Sequence, residues 1–148
     1  MDRVLAIDPS GTGTTGIYFK NGEKEEFKEI KEKDWLKHYH FISSLVKVYK
    51  PSILLFESSN FIRIRGKDMT SLFKLLGALE VLPIPQIQSV PVHQVKELTK
   101  QLLHGIKRLE GLEYQQGRGK GWMFKGKRVS LHCLEAYLVY YLSGTKYL

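Results

Sequence analysis

The chain of 148 residues has a single cysteine, Cys133, so no disulfide can form within it. This excludes the disulfide-stapled secreted domains and is typical of a protein of the reducing cytosol. Long apolar runs are also missing, since none approaches the ~20 residues that a membrane helix needs. The first apolar stretch is interrupted at Asp8, unlike the core of a signal peptide. We therefore expect a soluble, cytoplasmic protein, associated with the nucleoid if it binds DNA, with no membrane partner.

Internal repeats, linkers and low-complexity tails are absent from the sequence as well. The length suits one domain with one core, over residues 1–148. Charge is unbalanced, because 23 lysines and arginines face 15 acids and give a formal net charge of +8. Most of this excess falls in residues 96–128, which hold nine cations and three acids. A basic excess favours a polyanionic partner, although many basic proteins bind none.

What the sequence does contain is a set of carboxylates at telling positions. Two apolar runs that are typical of buried strands each end in an acid, at Asp8 and at Glu57. Late in the chain, His132 and Glu135 lie three residues apart in a helical pattern, so they share one helix face. Hard oxygen ligands of this kind bind Mg²⁺, and a metal cluster can hydrolyse a phosphodiester. The motifs together predict a metal-dependent nuclease site.

The hydrophobic pattern predicts the element order β-β-β-α-β-α-β-α-α. Strands are expected at residues 3–8, 16–20, 23–30, 53–57 and 85–92. Helices are expected at residues 33–50, 67–81, 94–109 and 129–142, and Ser130 is the expected N-cap of the last one. The first three strands form an antiparallel meander with a turn at Asn21-Gly22, and the last two are parallel. Residues 111–128, rich in glycine and cations, are expected to be a loop whose rings, Tyr114, Trp122 and Phe124, stack on bases.

The order and spacing of these motifs resemble the RuvC-type Holliday-junction resolvases of the ribonuclease-H-like fold. The matching pieces are residues 6–10 (Ala-Ile-Asp-Pro-Ser) with the glycine and threonine turn after them, residues 55–57 (Leu-Phe-Glu), and the pair His132 and Glu135. Lys96 falls where that family has a basic residue after its fifth strand. The resemblance covers almost the full length and implies an α/β fold, a mixed five-stranded sheet with helices on both faces. The chain's shortness and lysine content would suit a bacteriophage or low-GC bacterial member.

The resemblance also implies an activity and its residues. The activity is that of a homodimeric endonuclease that nicks branched DNA, four-way junctions above all, using two Mg²⁺ or Mn²⁺ ions per active site and leaving 5′-phosphate ends. The implied metal ligands are Asp8, Glu57, His132 and Glu135. Lys96 would complete the catalytic set at the phosphate, and Phe61 would wedge into the junction. Further DNA contacts are expected from Arg63, Arg65, Arg118, Lys120, Lys125, Lys127 and Arg128. Lys120 is one candidate for a second catalytic cation, and the other loop cations stay open.

The last helix departs from the family pattern, which most often has two aspartates three residues apart. His132 replaces the first and Glu135 the second. Glutamate reaches one methylene further, so the second ion could sit differently. Imidazole suits Mn²⁺, and we therefore expect Mn²⁺ to support activity well.

Simpler and rival interpretations remain open at this point. Asp8 could cap a turn, and His132 with Glu135 could be an ordinary helix pair in solvent. A non-catalytic branched-DNA binder would account for the two replacements in the last helix. The turn after Asp8 also looks like the first phosphate loop of actin-like ATPases and sugar kinases, which need two such domains. A leucine stripe could be core or dimer interface, and it consists of Leu72, Leu75, Leu76 and Leu79.

Overall fold

A mixed five-stranded sheet forms the centre of the protein in a computed structural model, which describes residues 2–58 and 67–144. The strands are β1 (Arg3–Asp8), β2 (Thr14–Asn21), β3 (Lys24–Lys31), β4 (Ile53–Ser58) and β5 (Gln86–Pro91). They lie in the order β3-β2-β1-β4-β5. The first three pair antiparallel, whereas β1, β4 and β5 pair parallel. This is the predicted topology, with β5 at one edge.

Four helices cover the two faces of this sheet. They are α1 (Trp35–Tyr49), α2 (Lys67–Leu79), α3 (Val92–Leu103) and α4 (Leu131–Leu142). Successive strand residues point to opposite faces, so β1 buries Leu5 and Ile7 under α1 and α2. It buries Val4 and Ala6 on the side of α3 and α4. Apolar side chains on both faces explain why the sequence of β1 is an unbroken apolar run.

The prediction of a loop at residues 111–128 was wrong. This segment forms a second, three-stranded antiparallel sheet of β6 (Leu112–Gln115), β7 (Gly121–Phe124) and β8 (Lys127–Val129). Alternate residues of β7, Trp122 and Phe124, are buried in the core beside α4. The glycines form turns instead of a flexible loop: Gly126 (φ 81°) follows Lys125 (φ 50°) in a two-residue hairpin turn.

Two other sequence expectations change with the structure. The third helix ends at Leu103 and not at residue 109, because Gly105 adopts a left-handed φ of 73° just past the helix end. In the leucine stripe, Leu75 and Leu79 are fully buried under the sheet, so these two leucines belong to the core. Among the helices of the described residues, none has the length and apolarity needed to cross a membrane.

Candidate metal centre

Three carboxylates from distant parts of the chain meet at the carboxyl ends of two central strands, β1 and β4. Asp8 is the last residue of β1, and Glu57 lies near the end of β4, the parallel neighbour of β1. Adjacent parallel strands have their carboxyl ends at the same end of the sheet, which brings these two side chains together. Glu135, in the second turn of α4, completes the group. One oxygen from each lies within 4.8 Å of the others.

Gly16 allows α4 to reach this end of the sheet. It is the cross-strand partner of Asp8 on β2, and the first turn of α4 lies directly over it. A Cβ atom at Gly16 would lie 2.1 Å from the carbonyl oxygen of His132 and 2.8 Å from the amide nitrogen of Cys133. Only glycine therefore lets the helix backbone approach so closely. Gly16 is the first residue of the second predicted strand, and no local sequence signal marks this packing role.

The start of α4 is fixed by its cap. The Ser130 hydroxyl accepts the amide hydrogen of Cys133 at 3.2 Å and donates to a carboxylate oxygen of Glu29 at 2.9 Å. The first bond is the N-cap that the sequence predicted. The second ties the helix start to β3, so two contacts hold His132 and Glu135 in position.

The Glu57 carboxylate lies in an environment that disfavours its charged form. Its Oε2 atom is buried and has no hydrogen-bond partner among the residues described. Burial raises the pKa of Glu57 to about 9, and the charges of Asp8 and Glu135 add to the effect, whereas Lys96 opposes it. A buried acceptor without a donor costs roughly 1–3 kcal/mol. Without a cation, this site therefore retains a proton at neutral pH.

Glu135 shows the same effect more weakly. Burial raises its pKa to about 7, and Asp8 adds to the shift through its charge and a hydrogen bond. His132 and Lys96 act in the opposite direction. Lys96 is exposed near the start of α3, and its charge lowers the pKa of both glutamates.

His132 touches the cluster through Asp8. Its Nδ1 atom lies 3.4 Å from Asp8 Oδ2, beyond the common hydrogen-bond range, and it is not one of the three groups that converge within 4.8 Å. The interaction with Asp8 is the main cause that raises the pKa of His132. The pKa values of His132, Glu57 and Glu135 are all raised, so bound protons offset part of the negative charge of the metal-free cluster.

The turn after Asp8 is held by side chains of its own. Gly13 donates its amide hydrogen to Ser10 Oγ at 2.8 Å, and Ser10 donates its amide hydrogen to Thr15 Oγ1 at 3.0 Å. Gly11 lies against the backbone of α2, where a Cβ atom would be 2.6 Å from Leu72 N. Ser10 and Thr15 thus supply these turn bonds, which weakens the simple interpretation of Asp8 as a turn cap.

A buried histidine supports this turn from behind. His38 Nδ1 lies 2.8 Å from Thr15 Oγ1, and its Nε2 lies 2.7 Å from the carbonyl oxygen of Glu32. A carbonyl only accepts, so Nε2 carries a hydrogen and donates it to Glu32. Both side chains are fully buried. Sequence reasoning found no role for His38, because its partner is 23 residues away in the chain.

The expected DNA-binding residues fall into three groups. Phe61, Arg63 and Arg65 lie outside the residues that the structure describes. The side chain of Lys125 pairs with Glu25 and lies 5.3 Å from the centre of the Phe124 ring. Exposed positions are occupied by Arg118, Lys120, Lys127 and Arg128.

The expectation of base stacking was wrong for two of the three rings. Trp122 and Phe124 are each only 7% exposed and belong to the core beside α4. Tyr114 is half-buried and meets Trp122 edge-on, with 5.0 Å between the ring centres. The rings of β7 therefore anchor the small sheet, and its cations are the groups left at the surface.

Comparisons with known proteins identify the fold. No protein-family model matches the chain, and no curated protein matches it. Among solved structures, Thermus thermophilus RuvC in complex with a Holliday-junction substrate is 16% identical, with 98% of each chain covered and a TM-score of 0.64. T. thermophilus RuvC alone is 17% identical over 97% of each chain, with a TM-score of 0.57.

A third solved structure, the yeast mitochondrial Holliday-junction resolvase Ydc2, is 13% identical. The alignment covers 93% of this chain and 75% of that one, with a TM-score of 0.51. The chain therefore has the fold of the RuvC-type resolvases, a ribonuclease-H-like α/β fold, as its motifs predicted.

Replacing Gly16 should separate α4 from the sheet. Gly16→Ala places a methyl group against the helix backbone, so we expect a loss of about 1–3 kcal/mol in unfolding free energy. Gly77→Ala is the matched control, because Gly77 lies within α2 and a Cβ there meets nothing within 4 Å. That control should stabilise the protein by about 0.5–1 kcal/mol. Urea denaturation measures both, and equal effects would contradict the packing role of Gly16.

The stability of the metal-free protein should fall as pH rises. The pKa values of Glu57 and Glu135 are raised above the unfolded value of 4.5, so the folded state holds protons more tightly. Their stabilising contribution is present below that value and is lost as pH rises towards about 9. Glu57→Gln should flatten this dependence and raise the unfolding free energy at about pH 8 by roughly 1–3 kcal/mol.

Urea denaturation in chelator across this pH range measures the effect. Glu80→Gln serves as the control, because Glu80 is exposed after α2. The electrostatic account is wrong if Glu57→Gln lowers stability at alkaline pH, or if the control flattens the profile equally.

Proposed function

We propose that this protein is a divalent-metal-dependent endonuclease that resolves Holliday junctions or related branched DNA, such as forks and flaps. The observation that carries the proposal is the buried convergence of Asp8, Glu57 and Glu135 within 4.8 Å, with one Glu57 oxygen unpartnered among the described residues. The fold supports the substrate class, because a structure that it resembles is RuvC bound to a Holliday-junction substrate.

The residues present fit Mg²⁺ or Mn²⁺. Carboxylate oxygens are the ligands that these hard cations prefer. The unpartnered Oε2 of Glu57 would become a ligand of the cation, which would offset the burial and the repulsion that raise the pKa of Glu57 and Glu135. We propose that Asp8, Glu57, Glu135 and His132 hold two ions. Such ions, when bound, supply an activated water and neutralise charge on the phosphate oxygens.

The protein's own groups then have distinct tasks. Asp8 lies between both glutamates and His132, so the imidazole contact fixes the carboxylate that the whole site shares. Lys96 is exposed beside the cluster and can stabilise negative charge that develops on the phosphate. Cleavage would break the bond between phosphorus and the 3′-oxygen and leave a 5′-phosphate end.

The DNA partner is supported by charge and its position. The formal net charge is +8, and exposed cations lie on α3, Lys96 among them, and on the small sheet. We propose that Phe61, Arg63 and Arg65, which follow Glu57 in the chain, add contacts at the junction. Symmetric nicking of a four-way junction needs two active sites, so we propose a homodimer of single-domain chains spanning residues 1–148, acting in the cytoplasm.

Two rival functions are less well supported. A non-catalytic DNA binder has no need of an unpartnered carboxylate oxygen in a buried cluster. A nucleotide-binding role would need free amide hydrogens in the turn after Asp8. The amides of Ser10 and Gly13 are bonded to Thr15 and Ser10 side chains instead.

The catalytic proposal predicts metal-dependent cleavage of labelled four-way junctions. Wild-type protein should cut them with Mg²⁺ or Mn²⁺, whereas Glu57→Gln should lose at least ~100-fold in rate and still bind the junction. A linear duplex of the same sequence is the substrate control, and Glu80→Gln is the protein control. The proposal fails if wild-type protein binds junctions but leaves them intact in both metals.

His132 should set the preference between metals. Imidazole favours Mn²⁺ over Mg²⁺ relative to a carboxylate, so His132→Asp should raise the ratio of Mg²⁺-supported to Mn²⁺-supported cleavage by about 10-fold. Rates measured at saturating junction in each metal give this ratio. His93→Asp is the matched control, since His93 is exposed at the start of α3. An unchanged ratio in His132→Asp would remove His132 from the ligand set.

A further inference from the structure

The segment between β6 and β7, residues 116–120, is the most glycine-rich part of the small sheet. We name it the β6–β7 loop. Gly117 and Gly119 have left-handed φ values of 79° and 69°, and Gly121, the first residue of β7, has φ 155°. The amide of Lys120 donates to the carbonyl oxygen of Gly117 at 3.1 Å, which closes a turn. The loop thus has a defined backbone, with Arg118 and Lys120 exposed on it.

The guanidinium of Arg128, on β8, fills the inside of this loop. Its Nη2 donates to the carbonyl oxygen of Gly119 at 2.6 Å, and its Nη1 donates to that of Lys120 at 3.2 Å. A Cβ atom at Gly121 would lie 2.8 Å from Nη1, and one at Gly119 would lie 3.4 Å from Nη2. The glycines therefore leave the space that the guanidinium occupies, and its planar fork spans two consecutive carbonyls.

The β6–β7 loop lies at the same end of the small sheet as the start of α4. Trp122, just after the loop, pairs with Val129, and Val129 is followed by the helix cap Ser130. His132 and Glu135 follow directly in α4. The other cationic turn, at Lys125, lies at the opposite end of β7, where Lys125 is paired with Glu25.

We propose that Arg128 is a positioning residue and not a DNA contact. It holds the β6–β7 loop so that Arg118 and Lys120 meet the phosphates of the strand that runs past the metal centre. This inference rests on the proposed function for its ligand, a phosphodiester backbone. A loop ordered before binding avoids the cost of ordering on contact, so the brace adds affinity without touching DNA.

Hydrogen exchange of the free, metal-free protein tests the brace directly. Arg128→Gln and Arg128→Lys should each speed exchange of the Lys120 amide by at least ~10-fold, because neither side chain spans two carbonyls. Lys127→Gln, an exposed neighbour on β8, should leave it unchanged. The positioning role is overturned if exchange is unchanged in both Arg128 variants, with thermal unfolding confirming that each variant is folded.

Junction binding at fixed salt then separates a brace from a direct contact. Arg128→Gln alone should weaken binding by about 10-fold. When Arg118→Gln and Lys120→Gln are already present, adding Arg128→Gln should cost less than 2-fold, since the side chains that it positions are gone. A further 10-fold loss would assign Arg128 to a phosphate contact. Hydrogen exchange is measured without metal or cleavage. Its outcome therefore tests the role of Arg128 even if the protein does not cleave DNA.

Discussion

Desolvation and mutual repulsion of three converging carboxylates together form the constraint on which the site depends. Backbone geometry alone brings Asp8, Glu57 and Glu135 within 4.8 Å of one another. Two parallel strands end side by side, and a helix packs over Gly16 next to them. Among the described residues, Lys96 and His132 offset only part of the negative charge that this packing concentrates. Protons can offset the rest, as the raised pKa values of both glutamates indicate, and so can divalent cations. The fold therefore favours cation binding over an empty, charged cluster.

Contacts around the three carboxylates limit how far the carboxylates can move apart. Ser130 ties the start of α4 to β3, and the buried pair of Thr15 and His38 supports the turn after Asp8. If this frame were loose, the carboxylates could move apart and solvate separately. A rigid frame leaves exchange of protons for metal as the main response, which links the fold to the proposed hydrolysis.

Local sequence signals were enough to predict most of this architecture. The apolar runs before Asp8 and Glu57 identify β1 and β4, and Ser130 marks the start of α4. The small sheet was missed because its strands are short and its composition is dominated by glycine and cations. The alternation of Trp122 and Phe124 was its clearest apolar signal, and it was interpreted as a set of rings for stacking.

Long-range partners explain two further features that the sequence did not predict. Gly16 acts through the backbone of His132, and Lys125 acts through Glu25, 100 residues earlier in the chain. A single sequence carries no sign of such pairs, whereas the carboxylates themselves stand in recognisable local motifs. The local motifs therefore identified the candidate metal-binding carboxylates, whereas the contacts that hold them in place are visible only in the three-dimensional packing.

The exchange of protons for metal can be measured most directly by titrating Mn²⁺ into the protein in a calorimeter. Buffers of different ionisation enthalpy, all near pH 7, give the number of protons released. Mn²⁺ should bind saturably and release about one proton or more, since the pKa values of Glu57 and Glu135 are raised to about 9 and about 7. Absence of binding, or binding without proton release, would contradict this exchange of protons for metal.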